Sequence, residues 1–222
     1  MKKIMFNDKY GLTEAVLDGR KTMTRQIITC PKSLKGEWVA GFHVYRRQSD
    51  GAILEYPCMY DADERDFDGG QILPKYKVGE IVAVAQCYAS IVDELEDPKN
   101  FVCMEHWESA SPKRAHYCSF LHHPGMTNKM FVSADEMPHQ IRIIDVRVEK
   151  LQDIGDVDCL AEGIEFSHKA QSFYVKSSTT GARTWLGKTP REAYANLINH
   201  VYGKDTWESN PYMFVYDFEL VK

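Results

Sequence analysis

The residues best suited to chemistry stand together in one run, Gly19-Arg20-Lys21-Thr22-Met23-Thr24-Arg25-Gln26. A lysine withdrawn from water can act as a base. A hydroxyl can act as a nucleophile, and an arginine can hold a carbonyl oxygen or a phosphate. Lys21 and Thr24 are three residues apart, so a strand would point them to opposite faces and a helical turn to one. They converge on one substrate only if the chain bends between them, and Gly19 makes such a bend possible. A plainer reading competes. Lys21 and Arg25 follow a predicted helix, where basic side chains cap the last carbonyls and meet the helix dipole.

The elements that must position this run can be read from pattern. Lys2 to Phe6 predicts a short strand. Tyr10 to Asp18 predicts a helix with Leu12, Ala15 and Val16 on one face and Gly19 as a left-handed terminator. Thr22 to Ile28 is β-branched and predicts a strand. Glu37 to Arg47 and Ala52 to Tyr60 flank Ser49-Asp50-Gly51, a hairpin signal, and Asp61 to Gly70 reads as an acidic loop. Ile81 to Ala85 predicts a buried strand. Gln140 to Lys150 predicts another, slipping register near Ile144. Asp156 to Glu162 predicts a short helix ended by Gly163. Thr189-Pro190-Arg191-Glu192 is a capped helix start followed by the stripe Ala193, Leu197, Ile198 and Val201. Tyr212 to Val221 is the last strand. Residues 90–130 and 164–188 read as excursions with little regular structure. Strands outnumber helices with no βαβ rhythm, which predicts an α+β, mainly β, fold: an antiparallel barrel or sheet decorated by a few helices, in one domain over 1–222.

Bulk properties narrow the function classes. Hydrophobic residues make up 44% and charged residues 27% of 222, an ordinary globular balance. The six cysteines form no CxxC pair, which suits a reducing compartment. The N-terminus turns polar after three apolar residues and no window reaches transmembrane length, so a cytoplasmic protein without membrane contact is expected. The net charge of −5 splits unevenly: ten Lys/Arg against five Asp/Glu in residues 1–50, four against thirteen in 51–110, and thirteen against fourteen beyond. An acidic balance opposes strong non-specific duplex binding, while the basic first portion could form a local patch.

Two apparent signals do not hold. Gly181 to Thr189 resembles a phosphate loop, but its glycines are one residue too far apart and Trp185 and Leu186 would crowd it. Cys103, His106, His116, Cys118, His122 and His123 are rich in soft ligands, yet Cys103-x-x-His106 has no second pair of like spacing, and the segment reads as a His-rich loop without a metal. No cofactor is implied.

The run 19–25 after an N-terminal helix resembles the signature of the ASCH domain, a member of the PUA-like superfamily. Val78-Gly79-Glu80-Ile81-Val82-Ala83-Val84 is similar to that family's Gly-acidic turn into a barrel strand. Arg147 to Ile154, running on to Ala161-Glu162-Gly163-Ile164, is similar to its strand-to-helix segment. Trp207 to Phe218 resembles the ending of phage-associated members. Together the matches span most of the chain outside the two excursions. The resemblance implies a small β-barrel with helices at its ends and a cleft that binds a nucleoside or single-stranded RNA. More distantly, it implies N(4)-acetylcytidine amidohydrolases, whose lysine and threonine match Lys21 and Thr24 and whose glutamate matches Glu162.

On that resemblance Lys21 is a base, Thr24 a nucleophile or holder of water, and Glu162 a proton carrier to the leaving amine. Arg20, Thr22, Arg25, Gln86, Trp207 and Asn210 are the candidate ligand contacts, with Trp207 a possible stacking platform. Gln86 and Ala85 replace an acid and a base found in many phage-type members, which implies a different or weaker ligand. Three functions follow as expectations: a nucleoside or RNA binder, an amidohydrolase of acylated cytidine-type nucleosides, and a phage accessory protein acting through protein contacts.

Overall fold

The computed structural model describes residues 1–47, 49, 53, 56–95 and 124–221. In chain order these form β1 (Lys3–Ile4), a 3-10 turn (Asp8–Tyr10), α1 (Leu12–Leu17), β2 (Met23–Ile27), β3 (Ser33–Leu34), β4 (Glu37–Trp38), β5 (Gly41–His43), β6 (Cys58–Tyr60) and β7 (Asp66–Gln71). Then come β8 (Ile81–Val84), α2 (Tyr88–Leu95), β9 (Gln140–Lys150), α3 (Asp156–Ala161), β10 (Glu165–Ser167), β11 (Ser172–Lys176), β12 (Arg183–Gly187), α4 (Pro190–Tyr202), α5 (Thr206–Ser209) and β13 (Tyr212–Leu220).

The fold is mixed α+β with strands predominating. Its centre is a five-stranded sheet in the order β1-β8-β9-β13-β2. β1 runs parallel to β8, and the other neighbours are antiparallel. Among the described residues no ladder joins β1 to β2, so no closed barrel is found. β8 is buried on both faces, as its unbroken apolar run predicts. Val82 and Val84 enter the main core, while Ala83 and Ala85 meet Tyr88, Ile91, Val132 and Met137 in a second one. The slip expected at Ile144 is a bulge: Asp217 pairs with Asp145 and Phe218 with Ile143, which leaves Ile144 unpaired and exposed.

Three expectations are corrected. The acidic loop 61–70 contains the strand β7, paired with β6. The excursion 164–188 is a regular antiparallel sheet, β10-β11-β12, which sends Val175 and Leu186 into the main core. The excursion 90–130 holds most of α2 and 3-10 turns beyond Pro124; residues 96–123, with Cys103, His106, His116, Cys118, His122 and His123, lie outside the described residues. The hairpin over 37–60 is present as β5 paired with β6 and a further bridge Arg46–Ile53, with Asp50 and Gly51 outside the description.

The helix start at Thr189 also departs in one detail. Thr189 accepts from the Glu192 amide, but the Glu192 carboxylate accepts from the amide of Lys188 rather than of Thr189. No helix of the described residues is long and apolar enough to cross a membrane.

Candidate functional site

The site is assembled where two helices end. After α1 the chain turns through left-handed Gly19 (φ +72°), and the Lys21 amide returns to the Ala15 carbonyl at 2.8 Å. The next amide, of Thr22, donates to Ala161 at the end of α3. Lys21 is thus held between the ends of α1 and α3, two residues before β2 begins, which supplies the bend between Lys21 and Thr24. Glu162 closes α3, and Gly163 follows at φ +97°. A Cβ at Gly163 would stand 3.3 Å from Lys21 Cβ, so glycine there serves both the turn and the close packing of the lysine stem.

Lys21 Nζ donates to Glu162 Oε2 at 2.5 Å and to the Glu162 carbonyl at 3.0 Å. The capping role anticipated for this lysine is therefore present, but on α3 rather than α1. Arg25 reaches the same carboxylate from β2: its Nη1 lies 3.2 Å from Glu162 Oε1. Its Nη2 lies 3.2 Å from Glu149 and 3.1 Å from Asp158. Tyr194, from the inner face of α4, places its hydroxyl 3.5 Å from Glu162 Oε1. Lys21 and Arg25 are each 2% exposed and Glu162 5%.

Charges this deep in low dielectric are tolerable only when paired. Burial pushes the Lys21 ammonium below its ordinary value; Glu162 opposes that shift and the nearby Arg25 charge adds to it. Burial alone would lower Arg25 as well, but its carboxylate neighbours, Glu162 first, outweigh it and hold the guanidinium above its usual value. The Tyr194 phenol is driven well above its ordinary value by burial and then by Glu162, so it stays protonated as a donor.

A cleft of about 520 Å³ opens onto this cluster. Lys21, Thr24, Arg25, Glu162 and Tyr194 all line it, with Leu197, Ile198, Val201 and Tyr202 of α4 along one side. The other side is formed by Met5 to Lys9 and Leu12, joined by Lys129. Phe6 places its ring 5.8 Å from Lys21 Nζ. Lys129 fastens that side: its ammonium donates to the Phe6 carbonyl, to Asp8 at 2.8 Å and to Thr13 at 3.1 Å. Tyr202 donates its hydroxyl to the Arg25 carbonyl at 2.8 Å. The Thr24 hydroxyl has no hydrogen-bond partner among the described residues and is open to the cleft.

The remaining candidate contacts lie elsewhere. Arg20 points away, paired with Asp18 and Glu165. Thr22 is exposed and uses its backbone, donating to Ala161 and accepting from Phe218. Gln86 is buried beside a separate cleft lined by Thr13, Cys87 and Ser90. Trp207 is a structural residue: it packs on the core, contacts Tyr194 edge-on, lies under Arg191, and accepts from Gln152 through its carbonyl. Asn210, left-handed at φ 45°, accepts from the Gln152 amide.

Glu149, Asp158, Tyr194 and Lys129 belong to the site without having been singled out. A signal existed only for Tyr194, a hydroxyl set inside the apolar stripe of α4. Among the described residues no group of three or more His, Cys, Asp or Glu could hold a metal ion.

No protein-family model, curated protein or solved structure matches the chain.

Proposed function

We propose that the protein binds a nucleoside in the cleft and hydrolyses an exocyclic amide such as that of N(4)-acetylcytidine. One observation carries this reading: Glu162, far along the chain, lines one cleft with Lys21 and Thr24, and the threonine hydroxyl is unengaged. The cleft's volume falls in the range of small-ligand sites, which suits one nucleoside, free or turned out of a single strand. The ASCH resemblance supports the same reading, since its junction, its strand-to-helix segment and its last strand form the floor of the cleft and the strands behind it. A PUA-like barrel is the finer fold assignment within it; the antiparallel run β8-β9-β13-β2 with helices at its ends supports that assignment.

In this mechanism burial and Arg25 make the Lys21 ammonium easier to deprotonate, and its neutral form takes the Thr24 proton. The threonine oxygen attacks the acyl carbon, and the C–N bond breaks as the protonated lysine, steadied by Glu162, returns the proton to the leaving amine. Water, activated by the same amine, then cleaves the acyl-threonine ester to carboxylic acid and free hydroxyl. The protonated Tyr194 and the paired Arg25 fix the Glu162 carboxylate throughout.

The test is incubation with N(4)-acetylcytidine and detection of cytidine and acetate. Turnover in the wild type and its loss in the near-isosteric Thr24→Val supports the proposal. Absence of turnover with enzyme in excess of substrate defeats it, and cytidine binding without turnover leaves a nucleoside-binding module instead.

A further inference from the structure

We propose that the outer face of the β10-β11-β12 sheet binds a single-stranded nucleic acid, a base stacking on Trp185 and the backbone phosphates meeting Arg183 and Lys176. This surface is built by residues 165–187 and does not depend on what the cleft does.

Register sets the face. Glu165 stands opposite Tyr174, Tyr174 opposite Trp185, and Lys176 opposite Arg183. Directly paired residues share one side of a sheet, so these five side chains project together. The other side carries Val175 and Leu186 into the core, which leaves the first side to solvent.

That outer face has an aromatic base with cations beside it. Tyr174 is 8% exposed and holds its hydroxyl on Glu165 at 3.0 Å. Trp185 packs against it at a tilt of 56°, centroids 5.3 Å apart, and the Arg183 guanidinium lies 4.9 Å from the Tyr174 ring. Trp185 nevertheless remains 48% exposed, a large flat surface braced by the Tyr174 ring. Arg20 neutralises Glu165 through its other oxygen at 3.1 Å. Arg183 and Lys176 have no carboxylate partner among the described residues.

Two unpaired cations beside a supported, half-exposed indole attract a phosphate and a flat ring together. That combination serves single strands, whose bases are free to stack on protein aromatics, and not duplexes, whose bases are already stacked. An acidic peptide would use the cations and leave the indole idle.

The experiment is fluorescence anisotropy of a short labelled single-stranded RNA at low salt, with a duplex of equal length, polyglutamate and free cytidine as competitors. Trp185, Arg183 and Lys176 are surface positions, so their variants keep the fold. The expected result is binding that weakens with salt and falls by about tenfold or more in Trp185→Ala. A comparable loss is expected in the Lys176→Glu/Arg183→Glu pair. Absence of binding overturns the proposal, as does binding unchanged in either variant. Equal competition by duplex or polyglutamate, or displacement by cytidine, overturns it too.

Discussion

Gly163 is packed directly against Lys21: a Cβ added to the glycine would lie 3.3 Å from the lysine Cβ and 3.5 Å from its Cδ, with Ala15 Cβ at 3.2 Å. The residue after Glu162 therefore sets the position of the candidate base. Gly163→Ala meets both this crowding and a φ of +97°. It is expected to cost about 1–2 kcal/mol from the left-handed backbone alone, and to move the Lys21 ammonium off the Glu162 carbonyl. Urea denaturation gives the stability change; a fall in cleft activity larger than the loss of folded protein gives the displacement.

Glu162 is shared by two buried cations, so neutralising it should be severe. Glu162→Gln is expected to lose about 3–5 kcal/mol, the usual result of breaking a buried pair from one side. Replacing both partners, Lys21→Met with Glu162→Leu, should cost less than Glu162→Gln alone, because no buried ammonium is then left without its carboxylate. Equal losses in the two proteins, measured by denaturant titration, would show that the pair is not coupled.

The lowered Lys21 value has a pH signature. Below its folded value the ammonium is buried at a cost; above the ordinary lysine value of 10.5 folded and unfolded chains are both neutral there. The unfolded state binds more protons in between, so wild-type stability relative to Lys21→Met should rise with pH across that window, by up to about 1.4 kcal/mol per pH unit. A difference that stays flat from neutral pH all the way to pH 10.5 contradicts the lowered value. The same titration should appear as the rising limb of the pH profile of cleft activity.

Cys159 offers a test of burial beneath the site. It is fully buried, and desolvation pushes its thiol up to about 12. The thiolate is the reactive form, so Cys159 should resist alkylation at mildly alkaline pH in the native protein and react once denatured. Cys30, Cys58 and Cys87 are only partly buried. Peptide mapping after alkylation separates the sites, and early labelling of Cys159 would show that α3 opens readily.

Much of this arrangement was legible where local pattern and tertiary context agree. The alternation of β9 marked even its bulge at Ile144, and Thr189 with Gly203 marked both ends of α4. The sheet β10-β11-β12 was hidden because its strands are short and the turn between β11 and β12, Ser177 to Gly181, has the Ser, Thr and Gly composition of loops. The site was half legible. Lys21 and Thr24 share one run, and Glu162 was reachable through resemblance, but Glu149 and Asp158 join Arg25 only because β9, α3 and β2 meet. Trp207 and Asn210 looked available for a ligand and instead hold Gln152, a use that no spacing announces.

The bond from Tyr202 to the Arg25 carbonyl has a consequence of another kind. β2 is the last strand of the central sheet, and the unpaired backbone of an outermost strand is a template on which a second chain can lay its own strand. The phenol occupies one of those acceptors at mid-strand, and α4 brings it there. A side chain that borders the cleft thereby also discourages strand-by-strand self-association, and Tyr202→Phe should make the protein more prone to aggregate even where its folding is unaltered.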